Sequence, residues 1–158
     1  MTISRSVHVE APARAVWDLV SDLPGMGRLS PENTGGSWRR GATGPAVGAV
    51  FKGRNRNGFR RWSTTVKVTR CEPGSAFAFA VSSVFGIPVS EWTYEIASAG
   101  DAACDVTESW SDRRPGWFKG PAGLATGVMD RGEDSTAVNL EQTLAALKRV
   151  AEGSPAGQ

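Results

Sequence analysis

The chain has 158 residues, of which 40% are hydrophobic and 22% are charged, and 18 basic against 16 acidic side chains leave a net charge of +2. A chain of this length can bury roughly two thirds of its unfolded surface, so it can fold as one domain without disulfides. The near balance of charge argues against a general affinity for polyanions or for membrane surfaces.

The first predicted elements are a strand and a short helix. The segment from Thr2 to Glu10 alternates between apolar and polar residues, which is typical of a half-buried strand. Pro12 then stands where a first helical position tolerates a missing N–H. Apolar residues follow at helical spacing as far as Leu23, and Pro24 and Gly25 stop the pattern.

Six segments with period-two alternation come next, after a stretch rich in Gly, Ser and Pro. They are Ser37–Arg40, Val47–Asn55, Arg60–Glu72, Ser75–Val81, Val89–Ala97 and Ala103–Ser111. Turn signals such as Asn57-Gly58 and Pro73-Gly74 separate them. Connections this short force neighbouring strands to run antiparallel, so the sequence predicts a meander.

The last predicted element is a helix from about Leu124 to Glu152. Extending the apolar face that contains Leu140 backwards places Met129 and Glu133 on the same face. A carboxylate where the pattern expects a hydrocarbon often marks a site. The alternative is that the regular helix begins after Gly132. Glu133 would then be a first-turn acid favoured by the helix dipole.

Short packing and turn motifs run along almost the whole chain. They are Val9-Glu10-Ala11-Pro12, Val16-Trp17-Asp18-Leu19-Val20-Ser21-Asp22, Ser30-Pro31-Glu32, Val47-Gly48-Ala49-Val50-Phe51, Gly53-Arg54-Asn55-Arg56, Arg61-Trp62-Ser63-Thr64, Glu72-Pro73-Gly74, Phe77-Ala78-Phe79, Trp92-Thr93-Tyr94-Glu95 and Val106-Thr107-Glu108-Ser109-Trp110. Together with the element order, they resemble the START-like superfamily and, within it, the bacterial polyketide cyclase/dehydrase-related proteins. The resemblance implies an α+β helix-grip fold, in which a curved seven-stranded antiparallel sheet wraps around a long C-terminal helix and short helices follow the first strand. We expect this domain to span residues 1–152 and a disordered tail to span residues 153–158.

The resemblance also implies a deep cavity between the sheet and the terminal helix. If the bulky apolar member of each alternation faces inward, aromatic and a few polar side chains line this cavity. The predicted ligand-binding residues are Phe51, Asn55, Trp62, Thr64, Phe77, Phe79, Trp92, Tyr94, Trp110, Trp117, Met129 and Glu133. Such a wall suits a flat, largely apolar ligand. The alternative is that the aromatic side chains pack together as an ordinary core.

Glu108 is the candidate catalytic residue. Parity places it on the inward face between Val106 and Trp110, where a carboxylate must be paired, be protonated or reach a wet cavity. An apolar setting would raise its pKa and suit it to general acid or base chemistry. The alternative is a structural ion pair with Arg113 or Arg114.

The residue types that signal other chemistries are not arranged for them. The single histidine, His8, falls on the polar face of the first strand, and Cys71 and Cys104 stand alone, so no nucleophilic triad, metal site or cofactor is indicated. Two isolated cysteines, with neither a signal peptide nor a long apolar run, favour a cytoplasmic protein without membrane insertion. The basic cluster from Lys52 to Arg61 is interpreted as a solvated hairpin rather than a nucleic-acid site.

The sequence favours two roles, and a third, a structural or chaperone-like interaction module that uses the groove for a partner protein, has less support. The first is to bind a hydrophobic, lipid- or polyketide-like small molecule in the internal cavity. The second is that of a polyketide cyclase, aromatase or dehydratase that acts in the same cavity through pocket shape and general acid/base assistance. The apolar ligand is the partner expected in either role, and the protein is expected to be a monomer or a homodimer.

Overall fold

The computed structural model describes residues 1–83, 85–119 and 133–153, with the backbone alone for residues 118 and 119. Within these residues, seven strands form one antiparallel sheet in the order β1-β7-β6-β5-β4-β3-β2. The strands are β1 (Thr2–Val9), β2 (Asn33–Arg39), β3 (Val50–Asn57), β4 (Arg60–Glu72), β5 (Ala76–Ser82), β6 (Pro88–Ser98) and β7 (Cys104–Asp112). From β2 to β7 each strand pairs with the next in sequence, so the predicted meander is confirmed.

Strand β2 begins four residues before its predicted start, because glycines hide the alternation there. Its register shifts between Asn33 and Gly35, which marks a β-bulge. At Gly36, a Cβ would lie 2.1 Å from the backbone oxygen of Lys52. Only glycine therefore allows this edge strand to approach β3 so closely.

Two short helices follow β1, as the resemblance implies, although the apolar spacing alone predicts one. Helix α1 (Ala13–Ser21) is preceded by Pro12, and a 3₁₀ helix occupies Leu23–Arg28. The side chain of Asp22 accepts a hydrogen bond from the backbone N–H of Gly25 and thereby caps the 3₁₀ helix. The apolar spacing continues across this junction, which is why the sequence pattern extends beyond the end of α1.

The C-terminal helix α2 runs from Glu133 to Ala151. It packs mainly against β1, and also against β7 and α1. Leu140, Leu144 and Leu147 are buried on the packed side, so the predicted apolar stripe is confirmed. Residues 124–132 of the predicted helix, including Met129, lie outside the described residues, as do residues 154–158 of the predicted tail.

Aromatic packing joins α1 to β5 in the core. Trp17 contacts Phe77 edge to face, with ring centroids 6.3 Å apart. The indole N–H of Trp17 donates to the backbone oxygen of Ala76 at 2.9 Å, so the only polar atom of that side chain is satisfied. Phe51 and Val68 are also fully buried in this cluster.

Cys71 and Cys104 are free thiols, which confirms that they do not form a disulfide. Of the helices that the structure describes, none is long and apolar enough to span a membrane.

Candidate ligand-binding face

The inner face of the sheet is the side against which α1 and α2 pack, and two adjacent rows of side chains cross it. The aromatic row consists of Phe79 on β5, Trp92 on β6, Trp110 on β7 and Ile3 on β1. The second row begins at Phe77 and continues with three polar side chains, Tyr94, Glu108 and Arg5, on the same four strands, and we call it the polar row. Because side chains two residues apart on a strand share a face, the aromatic row lies directly beside the polar row.

The centre of the polar row is a buried hydrogen-bonded pair. The hydroxyl of Tyr94 donates to Oε1 of Glu108 at 2.7 Å. Glu108 has no exposed surface, and Tyr94 is 2% exposed. The second carboxyl oxygen, Oε2, is buried and has no hydrogen-bond partner among the described residues. An acceptor left in this state is costly if the carboxyl group is charged.

The protonation of this pair follows from its burial. Burial raises the pKa of Glu108 from 4.5 to about 8, although the hydrogen bond from Tyr94 lowers it in part. Burial, with the nearby carboxyl group of Glu108, holds the pKa of Tyr94 well above its ordinary value. Near neutral pH Glu108 is therefore mostly a neutral acid, whose proton belongs on Oε2 because Oε1 accepts from the tyrosine.

The ion pair considered for Glu108 is not formed. Arg113 binds Glu91 at 2.8 Å. Arg114 forms a two-pronged pair with Asp112, with N–O distances of 3.0 and 2.9 Å. The interpretation of Glu108 as half of an ion pair with either arginine is thus wrong, since tyrosine is its partner.

Sequence reasoning missed Arg5, the register neighbour of Glu108 on β1. Its side chain is exposed and its Nε donates to Glu141 of α2 at 3.1 Å. Arg5 has the same parity as Ile3 and Val7, so the signal was present in the alternation. Sequence reasoning places an arginine such as Arg5 in solvent even when its neighbours of the same parity are apolar, because a side chain on an edge strand can turn outward.

The predicted ligand-binding residues of the sheet divide into two groups. The buried group comprises Phe51, Phe77, Phe79, Tyr94 and Trp110. The half-buried group comprises Asn55, Trp62, Thr64 and Trp92. The side-chain amide of Asn55 donates to Oγ1 of Thr64 at 3.2 Å, so these two polar side chains satisfy one another across β3 and β4.

The two groups differ because the helices cover the inner face unevenly. Helix α1 packs on β5 and β6, the first 3₁₀ helix packs on β2, and α2 packs on β1 and β7. None of the described helices packs substantially against β3 or β4. Of the described part of the inner face, the end bearing Trp62 and Thr64 is therefore the least filled, and we call it the open end.

Two of the predicted ligand-binding residues, Glu133 and Trp117, lie outside the sheet, and both are exposed. Glu133 is exposed in the first turn of α2, whose buried stripe begins at Thr136. The first-turn alternative for Glu133 is thus the one observed. Trp117 is 67% exposed in a second 3₁₀ helix, Gly116–Lys119. Among the described residues, no group of three or more metal-ligating side chains is placed to hold a metal ion.

A curved antiparallel sheet that grips a C-terminal helix, with short helices after the first strand, defines the helix-grip class of START-like proteins. The chain belongs to the family described as polyketide cyclase / dehydrase and lipid transport, which matches residues 1–152. A comparison with curated proteins finds no match.

Solved structures share this fold over nearly the whole chain. A polyketide-cyclase-like protein from Corynebacterium glutamicum is 29% identical, with a TM-score of 0.63, and 96% of this chain and 91% of that one are covered. A START superfamily protein from Mycobacterium smegmatis is 14% identical, with a TM-score of 0.70 and coverages of 98% and 99%. The di-domain ARO/CYC protein BexL of the BE-7585A biosynthetic pathway is 19% identical with a TM-score of 0.68, and 94% of this chain matches 45% of that larger one.

Proposed function

We propose that this protein binds a hydrophobic small molecule, lipid-like or polyketide-like, on the inner face of the sheet. The observation that carries the proposal is the partial exposure of two indole rings on this face. Trp62 is half-buried at the open end, and Trp92 is half-buried in the aromatic row, whose other aromatic members are buried. Half-buried indole rings on a concave face offer a flat ligand a large apolar contact area. Membership of a family of cyclases and lipid-transport proteins supports the same class of ligand.

Polar groups at both ends of this surface would orient the ligand. The Asn55–Thr64 pair lies at the open end, and the Tyr94–Glu108 pair lies in the row beside Trp92 and Trp110. An apolar molecule with one or two oxygen atoms suits such a surface better than a pure hydrocarbon, because its oxygen atoms meet hydrogen-bond donors.

A fluorescent probe tests the proposal. N-phenyl-1-naphthylamine is neutral and flat, so its binding reports apolar contact without help from charge. We expect its fluorescence to rise when it binds the protein, and Trp92→Ala to weaken this binding. Phe59→Ala is the matched control, since Phe59 is fully exposed at the β3–β4 turn and its removal leaves the inner face intact. No binding, or equal loss in both variants, would refute the proposal.

A second candidate function is favoured by the state of Glu108. A neutral carboxylic acid whose proton has no acceptor among the described residues can donate it to a ligand oxygen. In a dehydration, the proton of Glu108 goes to the leaving hydroxyl of a β-hydroxy ketone and the C–O bond breaks to release water. The resulting carboxylate takes the α-proton, the electron pair of that C–H bond forms the C=C bond of the enone, and Glu108 is again a neutral acid. Such an acid would make the protein a cyclase or dehydratase of polyketide-like chains.

The second candidate has its own test. A synthetic aryl β-hydroxy ketone is incubated with the protein, and the absorbance of the enone is followed. If Glu108 is the acid, Glu108→Gln abolishes the catalysed rate but still binds N-phenyl-1-naphthylamine as the parent does. Equal rates in the parent, the variant and buffer would leave binding as the function.

A further inference from the structure

The arginines of this protein are distributed in two distinct ways. Six of them form salt bridges with carboxylates in the described chain, namely Arg5, Arg14, Arg28, Arg70, Arg113 and Arg114. Arg54, Arg56 and Arg61 form no salt bridge with any carboxylate of the described residues, although all three are exposed on one hairpin. Arg39, Arg40 and Arg149 have no salt bridge among the described residues either, so what sets Arg54, Arg56 and Arg61 apart is that all three lie on one hairpin.

The register brings these three guanidinium groups onto one face. Arg56 on β3 is paired directly with Arg61 on β4, and Arg54, two residues earlier, is paired with Ser63. This parity is opposite to that of Asn55 and Trp62, so the arginines point away from the inner face. They line a surface depression of about 460 Å³, together with Thr34, Asn55, Trp62 and Ser63. The depression therefore borders the open end of the inner face.

The arrangement is unfavourable for the protein alone. Like charges placed directly opposite on neighbouring strands destabilise a sheet. The first residues of β4, Arg60–Thr64, pair only with β3, so positive charge on this hairpin also discourages further strand pairing. Several arginines that converge on one depression, with a hydroxyl beside them, in addition match the planar, two-pronged recognition of a phosphate group.

We propose that the depression lined by Arg54, Arg56 and Arg61 is a binding site for a phosphate-bearing ligand, beside the open end of the inner face. Each guanidinium group offers paired N–H donors to phosphate oxygens, and the hydroxyl of Ser63 adds another donor. Bound phosphate relieves the repulsion between Arg56 and Arg61. The phosphate belongs either to a soluble small molecule or to a lipid headgroup, and both present the same chemistry.

Calorimetric titration with pyrophosphate tests the site on the intact protein. We expect the double variant Arg56→Gln/Arg61→Gln to bind pyrophosphate at least about tenfold more weakly than the parent, because it loses two charge-assisted contacts. The matched control is Arg40→Gln/Arg149→Gln, which removes the same charge from exposed positions outside the depression. It should bind within about twofold of the parent, and binding to the parent should weaken with salt.

Two further titrations identify the source of the phosphate. Vesicles of phosphatidylglycerol in phosphatidylcholine, compared with pure phosphatidylcholine, test the lipid headgroup. If pyrophosphate or the anionic vesicles bind, and this binding depends on Arg56 and Arg61, the result supports the site. Whichever probe binds identifies the phosphate as that of a soluble molecule or of a lipid headgroup. Equal losses in the two double variants would show a general charge effect and overturn it, as would an absence of binding to both probes or binding to a single-stranded oligonucleotide alone.

The test separates this site from the proposed apolar site. Both double variants should bind neutral N-phenyl-1-naphthylamine as the parent does, because they leave Trp62, which borders both surfaces, unchanged and replace only side chains on the other face of the sheet. Their thermal unfolding should show a folded protein, with Arg56→Gln/Arg61→Gln no less stable than the control. A loss of phosphate binding in an unfolded variant would thus be recognised and excluded.

Discussion

The clearest energetic signature of this protein is the pH dependence of its stability, which Glu108→Gln should change. The folded protein holds the proton of Glu108 more tightly than the unfolded chain does, since burial raises its pKa from 4.5 to about 8. The stabilisation by this proton is complete below about pH 4.5 and is lost as the pH rises towards 8. Glutamine keeps the shape and cannot ionise, so the variant lacks this dependence.

The size of the effect follows from the same shift. Each pH unit between the two pKa values costs about 1.4 kcal/mol, so the parent should lose about 3 to 4 kcal/mol between pH 5 and pH 8 relative to Glu108→Gln. Solvent screening does not reduce this figure greatly, because Glu108 has no exposed surface. The pKa of His8 is also raised, by its hydrogen bonds to Asp105 and Glu10. The variant has the same His8, so this contribution cancels when the free energies of unfolding of the two proteins are subtracted.

Urea unfolding of both proteins, at half-unit steps from pH 5 to pH 8, measures this difference. The two free energies of unfolding should diverge steadily, because that of the parent decreases relative to that of Glu108→Gln as the pH rises. If the two profiles instead run parallel to within about 0.5 kcal/mol, the size of an ordinary surface change, then Glu108 is not a buried neutral acid. The reasoning about its chemistry would then fail.

Three further predictions concern the core and the pair. Tyr94→Phe removes the hydrogen bond that lowers the pKa of Glu108, so the pKa should rise above about 8 and stability at pH 5 should fall by about 1 to 2 kcal/mol; an unchanged pH profile would show that this hydrogen bond is not formed. Phe77→Ala should cost about 3 to 5 kcal/mol, whereas Trp92→Ala should cost clearly less because Trp92 is half-buried; equal losses would mean that Trp92 is packed as tightly as Phe77. Protein unfolded without reductant should give two free thiols per chain, and a count of zero would contradict the structure.

Much of the fold can be predicted from the sequence, because the sheet is buried on one face. Period-two alternation is strong wherever one side of a strand meets the core, and β4 was predicted at both ends. The alternation fails where glycines replace side chains, as at Gly35 and Gly36 of β2. It also cannot separate two helices whose apolar spacing continues through a capping residue such as Asp22.

The candidate site was predictable in position and less so in pairing. Parity alone places Glu108 on the inner face, but it does not identify Tyr94 as its partner, because that depends on which strands are neighbours and in which register. In the sequence, Arg113 and Arg114 are the nearest candidate partners of Glu108. In the fold, these arginines instead form salt bridges with Glu91 and Asp112. Sequence also cannot show how unevenly the helices cover the inner face, since that is decided by packing between distant segments.

The indole N–H signals of the tryptophans, observed by ¹H–¹⁵N NMR, test the central claim most directly. Titration with N-phenyl-1-naphthylamine should shift the signals of Trp62, Trp92 and Trp110, which face the proposed ligand. The signal of Trp17 should stay in place, because its N–H is bonded to a backbone oxygen beneath α1. If the probe shifts none of the three, or shifts only the exposed Trp117, the inner face does not bind an apolar ligand and the proposed function is wrong.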